Sequence, residues 1–191
     1  MGLFSKLFGT RPSQPAVQIQ PIVPRSASYG STRPENNASW QELSDAFMYN
    51  IQNGFIGAAA ICRFEQGRIR EAEKDYPPAI RLYMDSFFYH ATGLDDLNST
   101  RRFGVPPSVA IPPAIVRRIQ MCVKKAKLSD SDVRKLYFSN QHPSDIPMAV
   151  YSYEKAWNLL RKALKDGIDS CDGMIRRAES SYKKEHPDLN W

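Results

Sequence analysis

An apolar stripe with the period of an α-helix runs along the carboxy-terminal end of the chain, and it limits the possible folds more than any other feature. Its members recur at steps of three or four residues, which places their side chains on one face of a helix. The stripe consists of Val150, Tyr153, Trp157, Leu160, Leu164, Ile168, Cys171, Ile175, Ala178 and Tyr182. We therefore predict that the last and longest helix begins at Pro147 and buries this face, with Trp157 and Leu160 in the core.

Four upstream segments repeat the same apolar period, and each carries a helix-start signal. Ser39 and Glu42 have the spacing of a capping box, while prolines stand at the first turn of the second and third segments, where helices tolerate them. The predicted helices cover residues 39–62, 77–90, from 112 or 113 to about 128, and from a cap at 129 or 130 to 138. The second is apolar around most of its surface, which predicts a central place in the core.

The rest of the folded part is predicted to be connections. Residues 101–111 are bounded by prolines and are expected to be extended. No segment alternates apolar and polar residues as a half-buried strand does. The predicted fold class is all-α: a compact multi-helix domain over residues 39–191, with about five helices and a long carboxy-terminal one.

A proline-rich arm precedes this domain. Residues 10–38 hold five of the chain's 14 prolines among Ser, Gln, Asn and Gly. Such a composition buries too little apolar surface to offset the entropy of ordering the chain. We predict a disordered, flexible tether.

Residues 1–9 form an apolar tip ahead of the tether. Its apolar side chains, spaced to share one face of a short helix, are Leu3, Phe4, Leu7 and Phe8. Because exposed apolar clusters generally have a partner, we expect the tip to bind a membrane interface or a groove on a protein partner. Gly2 matches the start of a myristoylation signal, but Lys6 stands where that signal has Ser or Thr.

Charge divides the chain into unequal parts. The formal net charge of +6 is distributed as +3 over residues 1–38, −4 over residues 39–100 and +7 over residues 101–191. The helical domain therefore has an acidic half and a basic half. This asymmetry predicts an anion-binding surface and possible head-to-tail attraction between copies, although a charged surface can also serve solubility alone.

The third predicted helix concentrates the positive charge. At 100° per residue, its apolar side chains share one side and its cations share the opposite arc, with no acidic residue among them. This arc, which we call the basic face, consists of Arg117, Arg118, Lys124, Lys125 and Lys127. Either anionic lipid head groups or nucleic-acid phosphates suit such a face, and Arg101, Arg102, Arg176, Arg177, Lys183 and Lys184 are candidates to extend it.

No catalytic or metal-binding motif is present. The chain has none of the zinc, phosphate-loop, dinucleotide or nucleophile-elbow patterns, and its three histidines are far apart. The three cysteines, Cys62, Cys122 and Cys171, lie on apolar stripes and are predicted to be small buried hydrophobes in a reducing compartment. We predict no enzyme activity, no cofactor, no metal site and no small-molecule substrate.

The order of apolar tip, proline-rich tether and basic helical domain resembles the layout of peripheral membrane scaffolds, viral matrix proteins among them. The resemblance concerns layout alone. It implies a cytoplasmic protein at the periphery of an anionic membrane that binds other copies of itself as a homo-oligomer. Two alternatives are an RNA-binding protein that uses the same basic face, and a cytosolic adaptor or effector that docks a partner through residues 1–9.

Overall fold

A computed structural model describes residues 20–22, 38–139 and 146–191 of the chain. Within these ranges every regular element is helical, which confirms the all-α class. The helices are α1 Trp40–Gln52, α2 Ile56–Ala72, α3 Tyr76–Ala91, α4 Leu97–Phe103, α5 Pro113–Ala126, α6 Asp130–Phe138, α7 Tyr153–Asp166 and α8 Asp172–Glu185, with a 3₁₀ turn, Ile168–Cys171, between the last two. The expected number of about five helices is too low, for three separate reasons.

First, the predicted helix over residues 39–62 is two helices. It begins as expected at the Ser39 cap, where the reciprocal capping box with Glu42 forms. It ends at Gln52, and α2 begins at Ile56. The backbone carbonyl of Gly54 accepts a hydrogen bond from the amide of Leu97 at 2.8 Å, so a contact from outside the segment stabilises the turn.

Second, the prediction of one long carboxy-terminal helix from Pro147 is wrong about where the helix begins and about its continuity. The first turn begins at Ser152, whose hydroxyl caps the helix. The helix stops at Gly167, which has φ of +84°, a conformation that residues with a Cβ rarely adopt. The apolar stripe nevertheless faces the core on both sides of this break: Trp157, Leu160, Cys171 and Tyr182 are all buried.

Third, the short helix α4 was not predicted, and Arg101–Phe103 are helical rather than extended. Asp96 provides its cap, accepting a hydrogen bond from the Asn98 amide at 2.9 Å. An aspartate before a polar helix gives a weak sequence signal, because no apolar period follows it over seven residues.

The core is organised around α3, as predicted from its apolar composition. This helix packs against α2 on one side and α5 on another, and it also contacts α6 and α7. Its fully buried large side chains are Ile80, Tyr83, Met84, Phe87, Phe88 and Tyr89. Ala59 and Ala60 of α2 are also fully buried.

A short piece of the arm contacts the domain. The side chain of Asn50, which is completely buried, pairs with the backbone of Ile22: its carbonyl accepts from the Ile22 amide at 2.9 Å, and its amide donates to the Ile22 carbonyl at 2.7 Å. The tether predicted over residues 10–38 is thus held at one point in the described part of the arm. Residues 1–19, 23–37 and 140–145 lie outside the described residues, so the tip and most of the tether remain predictions.

Candidate functional site

Four of the five cations of the basic face lie on α5. In this helix Ile115, Val116, Ile119 and Cys122 are buried, and the four cations occupy the other side. The helix ends at Ala126, before the predicted residue 128, and Lys127 follows it with a left-handed φ of +53°. Arg117, Lys124, Lys125 and Lys127 are exposed, while Arg118 is half-buried. The face therefore exists as a surface, but its members differ in their surroundings.

Glu71 of α2 engages two of the five cations. Its carboxylate lies 3.1 Å from Arg118 Nη1 and 3.6 Å from Lys125 Nζ, and it accepts a hydrogen bond from the Tyr83 hydroxyl at 2.8 Å. The largely buried Glu71 carboxylate therefore neutralises part of the positive charge of the basic face, which has no acidic residue within α5 itself. Burial and the adjacent Glu71 charge raise the pKa of Tyr83 well above its usual value, so Tyr83 acts as a neutral donor.

The remaining cations of the basic face have an exposed methionine between them. In the described part of the chain, Arg117, Lys124 and Lys127 form no ion pair. Met121 is exposed and lies one turn after Arg117 and one turn before Lys124, so the three share a strip of the helix surface. This strip offers anions two cations around an apolar side chain, a smaller site than the five-residue face suggests.

A second surface, not predicted from the sequence, forms where the end of α4 meets the chain terminus. Phe103 is 62% exposed and Trp191 is 40% exposed, and Val105, two residues after Phe103, is exposed as well. Large apolar side chains grouped on a surface generally mark an interaction site.

Hydrogen bonds hold the two segments of this surface together. The Asn190 side chain donates to the Phe103 carbonyl at 2.6 Å, and the Asn190 amide donates to the Gly104 carbonyl at 2.8 Å. Gly104 has φ of +66°, and a Cβ on it would lie 2.9 Å from the Asn190 side chain. Only glycine satisfies both the backbone angle and the close approach.

Cations lie against the aromatic rings. The Arg102 guanidinium lies 5.4 Å from the Phe103 ring centre, and the Lys183 ammonium lies 5.4 Å from the Trp191 ring centre. Arg101, one residue before Arg102, is exposed too. We call this group the aromatic–basic surface; it consists of Arg101, Arg102, Phe103, Val105, Lys183 and Trp191.

Sequence reasoning named three of these cations as possible extensions of the basic face but missed the apolar members. Phe103 and Val105 were assigned to a connection, and Trp191 is the last residue of the chain. The sequence gives one indication that these three apolar residues are not part of the core: none of them belongs to an apolar stripe. Exposure itself depends on packing between residues 87 positions apart, which periodicity does not report.

Burial shifts the pKa of several groups of the kinds often found in catalytic or metal sites. The three cysteines are free and buried, and burial raises the pKa of Cys62 to about 11 and that of Cys122 to about 12; both are therefore thiols at neutral pH. Burial lowers the pKa of His90 to about 4. In residues 20–22, 38–139 and 146–191, no three His, Cys, Asp or Glu side chains are grouped as metal ligands would be.

No helix in the described ranges combines the length and the apolar character that a bilayer span requires. Comparison of the chain with protein-family models, with curated protein sequences and with solved structures found no match.

Proposed function

We propose that this protein is a non-enzymatic, peripheral membrane-associated assembly protein, and that the aromatic–basic surface is one of its membrane contacts. The observation that carries the proposal is the exposure of Phe103, Val105 and Trp191 beside Arg101, Arg102 and Lys183. Aromatic rings partition to the boundary between head groups and acyl chains, and each nearby cation contributes about 1 kcal/mol on an anionic surface.

The basic face and the tip supply the other contacts in this proposal. Arg117, Lys124 and Met121 repeat the same combination of cations around an exposed apolar side chain. Single weak anchors give only marginal membrane binding, whereas two or more together give stable attachment. The tip, with Leu3, Phe4, Leu7 and Phe8, would act as a further anchor at the end of the tether.

Binding of single-stranded RNA is the second candidate, because rings next to cations also stack on bases and pair with phosphates. The exposed aliphatic side chains favour the membrane over RNA. Val105 and Met121 are both exposed, and aliphatic groups gain free energy by entering lipid but offer no π-face to a base. The adaptor alternative rests on the tip alone.

The experiment is co-sedimentation of the full chain with phosphatidylserine-containing vesicles, with phosphatidylcholine vesicles and with a single-stranded RNA, each over a range of salt. We expect binding to the anionic vesicles that weakens with salt, and little binding to neutral ones. The double variant Phe103→Ser, Trp191→Ser should reduce vesicle binding at least about tenfold, since each buried ring is worth about 1.5–3 kcal/mol before ordering costs.

Trp40 provides a matched control. It is 37% exposed and lies under the Arg70 guanidinium at 4.5 Å, so it reproduces the exposed ring with a cation but lies on α1. Trp40→Ser should leave vesicle binding unchanged. Equal losses for Trp40→Ser and for the double variant would contradict a specific surface, and RNA binding without vesicle binding would favour the second candidate. Phe4→Ser with Phe8→Ser should weaken vesicle flotation while leaving the melting temperature of the domain nearly unchanged.

A further inference from the structure

A groove between α6 and α7 carries positive charge on its rim and apolar side chains on its floor. It encloses about 900 Å³, the space of several side chains. Val133, Trp157, Leu164 and Met174 contribute the apolar surface, and Arg134, Arg161, Lys162 and Lys165 contribute the cations. We call it the α6–α7 groove. It belongs neither to the basic face nor to the aromatic–basic surface.

The groove keeps a net positive charge, because its lining has four cations and two acidic residues. Lys162 pairs with Asp166 at 3.0 Å, and Asp130 is the other acidic residue of the lining. Arg161 and Lys165 are exposed, and within the described ranges neither forms an ion pair. The groove therefore suits an occupant that combines an apolar side chain with carboxylates, since like charges oppose entry and unlike charges favour it.

The outer face of α1 has this combination. Met48 is 52% exposed, the most exposed apolar side chain of that helix. Asp45 lies three residues before it and Glu42 six residues before it, and both are exposed. The helix contains no lysine or arginine, and in the described residues neither acid has a cationic partner. We call this the acidic face of α1.

We propose that copies of this protein associate head to tail, the acidic face of α1 in one copy docking in the α6–α7 groove of the next; this rests on the assembly role proposed above. The carboxylates of the acidic face are complementary to the cations of the rim, and Met48 provides an apolar side chain for the apolar floor. The face cannot fill the groove of its own copy, because α1 packs on α2, α2 on α3, and α3 on both α6 and α7. The tip is a poorer occupant, since residues 1–9 contain Lys6 and no acid.

Such an interface joins two different surfaces, so it leaves one face and one groove free at the ends of every assembly. Contacts of this kind propagate into rings or filaments rather than stopping at a dimer. This property gives the proposal a specific test, because blocking opposite ends in two variants must limit growth to a pair.

The test uses two full-length variants with exposed substitutions. The groove variant is Arg161→Glu with Lys165→Glu, and the face variant is Asp45→Ser with Met48→Ser, which removes the charge and the apolar side chain without adding cations that the reversed groove would attract. The charge-matched control is Lys155→Glu with Lys184→Glu, two exposed lysines outside both surfaces. Sedimentation velocity at rising concentration measures the mass of each protein alone and of equimolar mixtures, and circular dichroism establishes that each is folded.

We expect the unmodified chain and the control to grow in mass with concentration, and to do so less at high salt. Each variant alone should remain at the 21.7 kDa of one chain, with association weakened at least about tenfold. The equimolar mixture should form a pair of twice that mass and no larger species. An unmodified chain that stays monomeric, variants that assemble as well as it does, or a mixture that stays monomeric would each overturn the proposal.

Vesicle binding separates this inference from the proposed function. Both variants keep the aromatic–basic surface and the basic face, so their monomers should still bind anionic vesicles. Assembly in solution without vesicle binding would contradict the membrane role and leave the head-to-tail interface standing. Vesicle binding by an unmodified chain that never associates would contradict the interface and leave the membrane role standing.

Discussion

The rings of Tyr137 and Tyr153 stack with their centres 4.3 Å apart and their planes 7° from parallel, and each hydroxyl donates a hydrogen bond to the backbone carbonyl of the other residue. This reciprocal pair joins the end of α6 to the start of α7. It therefore sets the spacing of the two helices that form the α6–α7 groove. Burial raises the pKa of both phenols well above the usual value, so both are neutral donors at physiological pH.

Tyr137→Phe should lower the free energy of unfolding by about 1 kcal/mol, because it removes one hydrogen bond and keeps the stack. Tyr137→Ala should cost about 3–5 kcal/mol, because it also leaves a cavity beneath Tyr153. Urea unfolding followed by circular dichroism measures both. Tyr151→Phe is the control: Tyr151 is buried but its hydroxyl has no hydrogen bond to the described residues, so its removal should cost little. Equal costs for the two phenylalanine variants would mean that the reciprocal hydrogen bonds contribute nothing.

Trp157→Ala should destabilise the domain by about 3–5 kcal/mol, as large core truncations do. Its ring is buried and lies 5.1 Å from that of Tyr137 and 5.8 Å from that of Phe138. Thermal and urea unfolding provide the measurement. A loss below about 1 kcal/mol would contradict a structural role for this floor residue of the groove.

Charge reversal should have different effects at different positions of the basic face, because Arg118 pairs with Glu71 whereas Arg117 and Lys124 form no ion pair with the described residues. Arg118→Glu places a second carboxylate against Glu71 and should lower the free energy of unfolding by about 1–3 kcal/mol. Arg117→Glu with Lys124→Glu should leave the melting temperature unchanged and weaken binding to anionic vesicles, since each cation is worth about 1 kcal/mol at the membrane. Melting curves and vesicle co-sedimentation together distinguish the two. If the double reversal binds as well as the unmodified chain, the basic face does not contact the membrane.

Two glycine substitutions should have opposite signs. Gly104→Ala forces a Cβ against Asn190 and a left-handed angle on alanine, so it should destabilise the protein and loosen residues 189–191. Gly173→Ala, in the first turn of α8 and with no atom closer than 3.7 Å to the new Cβ, should stabilise by up to about 1 kcal/mol. Melting temperatures test the signs, and a shift of Trp191 fluorescence should accompany only the first. A neutral Gly104→Ala would mean that the terminal segment is not held there.

His90 predicts a loss of stability in mild acid. Burial lowers its pKa in the folded chain to about 4 from a usual 6.5, so below pH 6.5 the unfolded chain takes up a proton that the folded chain refuses. Its contribution to stability is complete above pH 6.5 and falls as the pH approaches 4, by about 2 kcal/mol at pH 5. Urea unfolding of His90→Gln at pH 7.5 and at pH 5 should show a smaller loss than the parent. An identical pH slope for both proteins would exclude His90 as a cause.

Helical period and start signals determined which faces of the helices are buried. The stripe containing Trp157, Leu160 and Tyr182 faces the core although a break divides it, and Ile119 and Arg117 lie on opposite sides of α5 as the 100° projection requires. These features are local: side-chain direction follows from spacing along a helix, and a cap such as Ser39 acts within four residues.

Tertiary structure decided where two of the predicted helices are broken and which charges and apolar groups are available to a partner. The turn at Gly54 is hydrogen-bonded to Leu97, and the Tyr182 hydroxyl of α8 donates to the Met148 carbonyl, which lies before α7. Glu71 reaches Arg118 across 47 positions, and Asn190 reaches Phe103 across 87. Ion pairing and exposure do not follow from local spacing along the chain. Each depends on helices that come together only when the core forms around α3. The sequence therefore determined the helical faces, and the packing determined the surfaces.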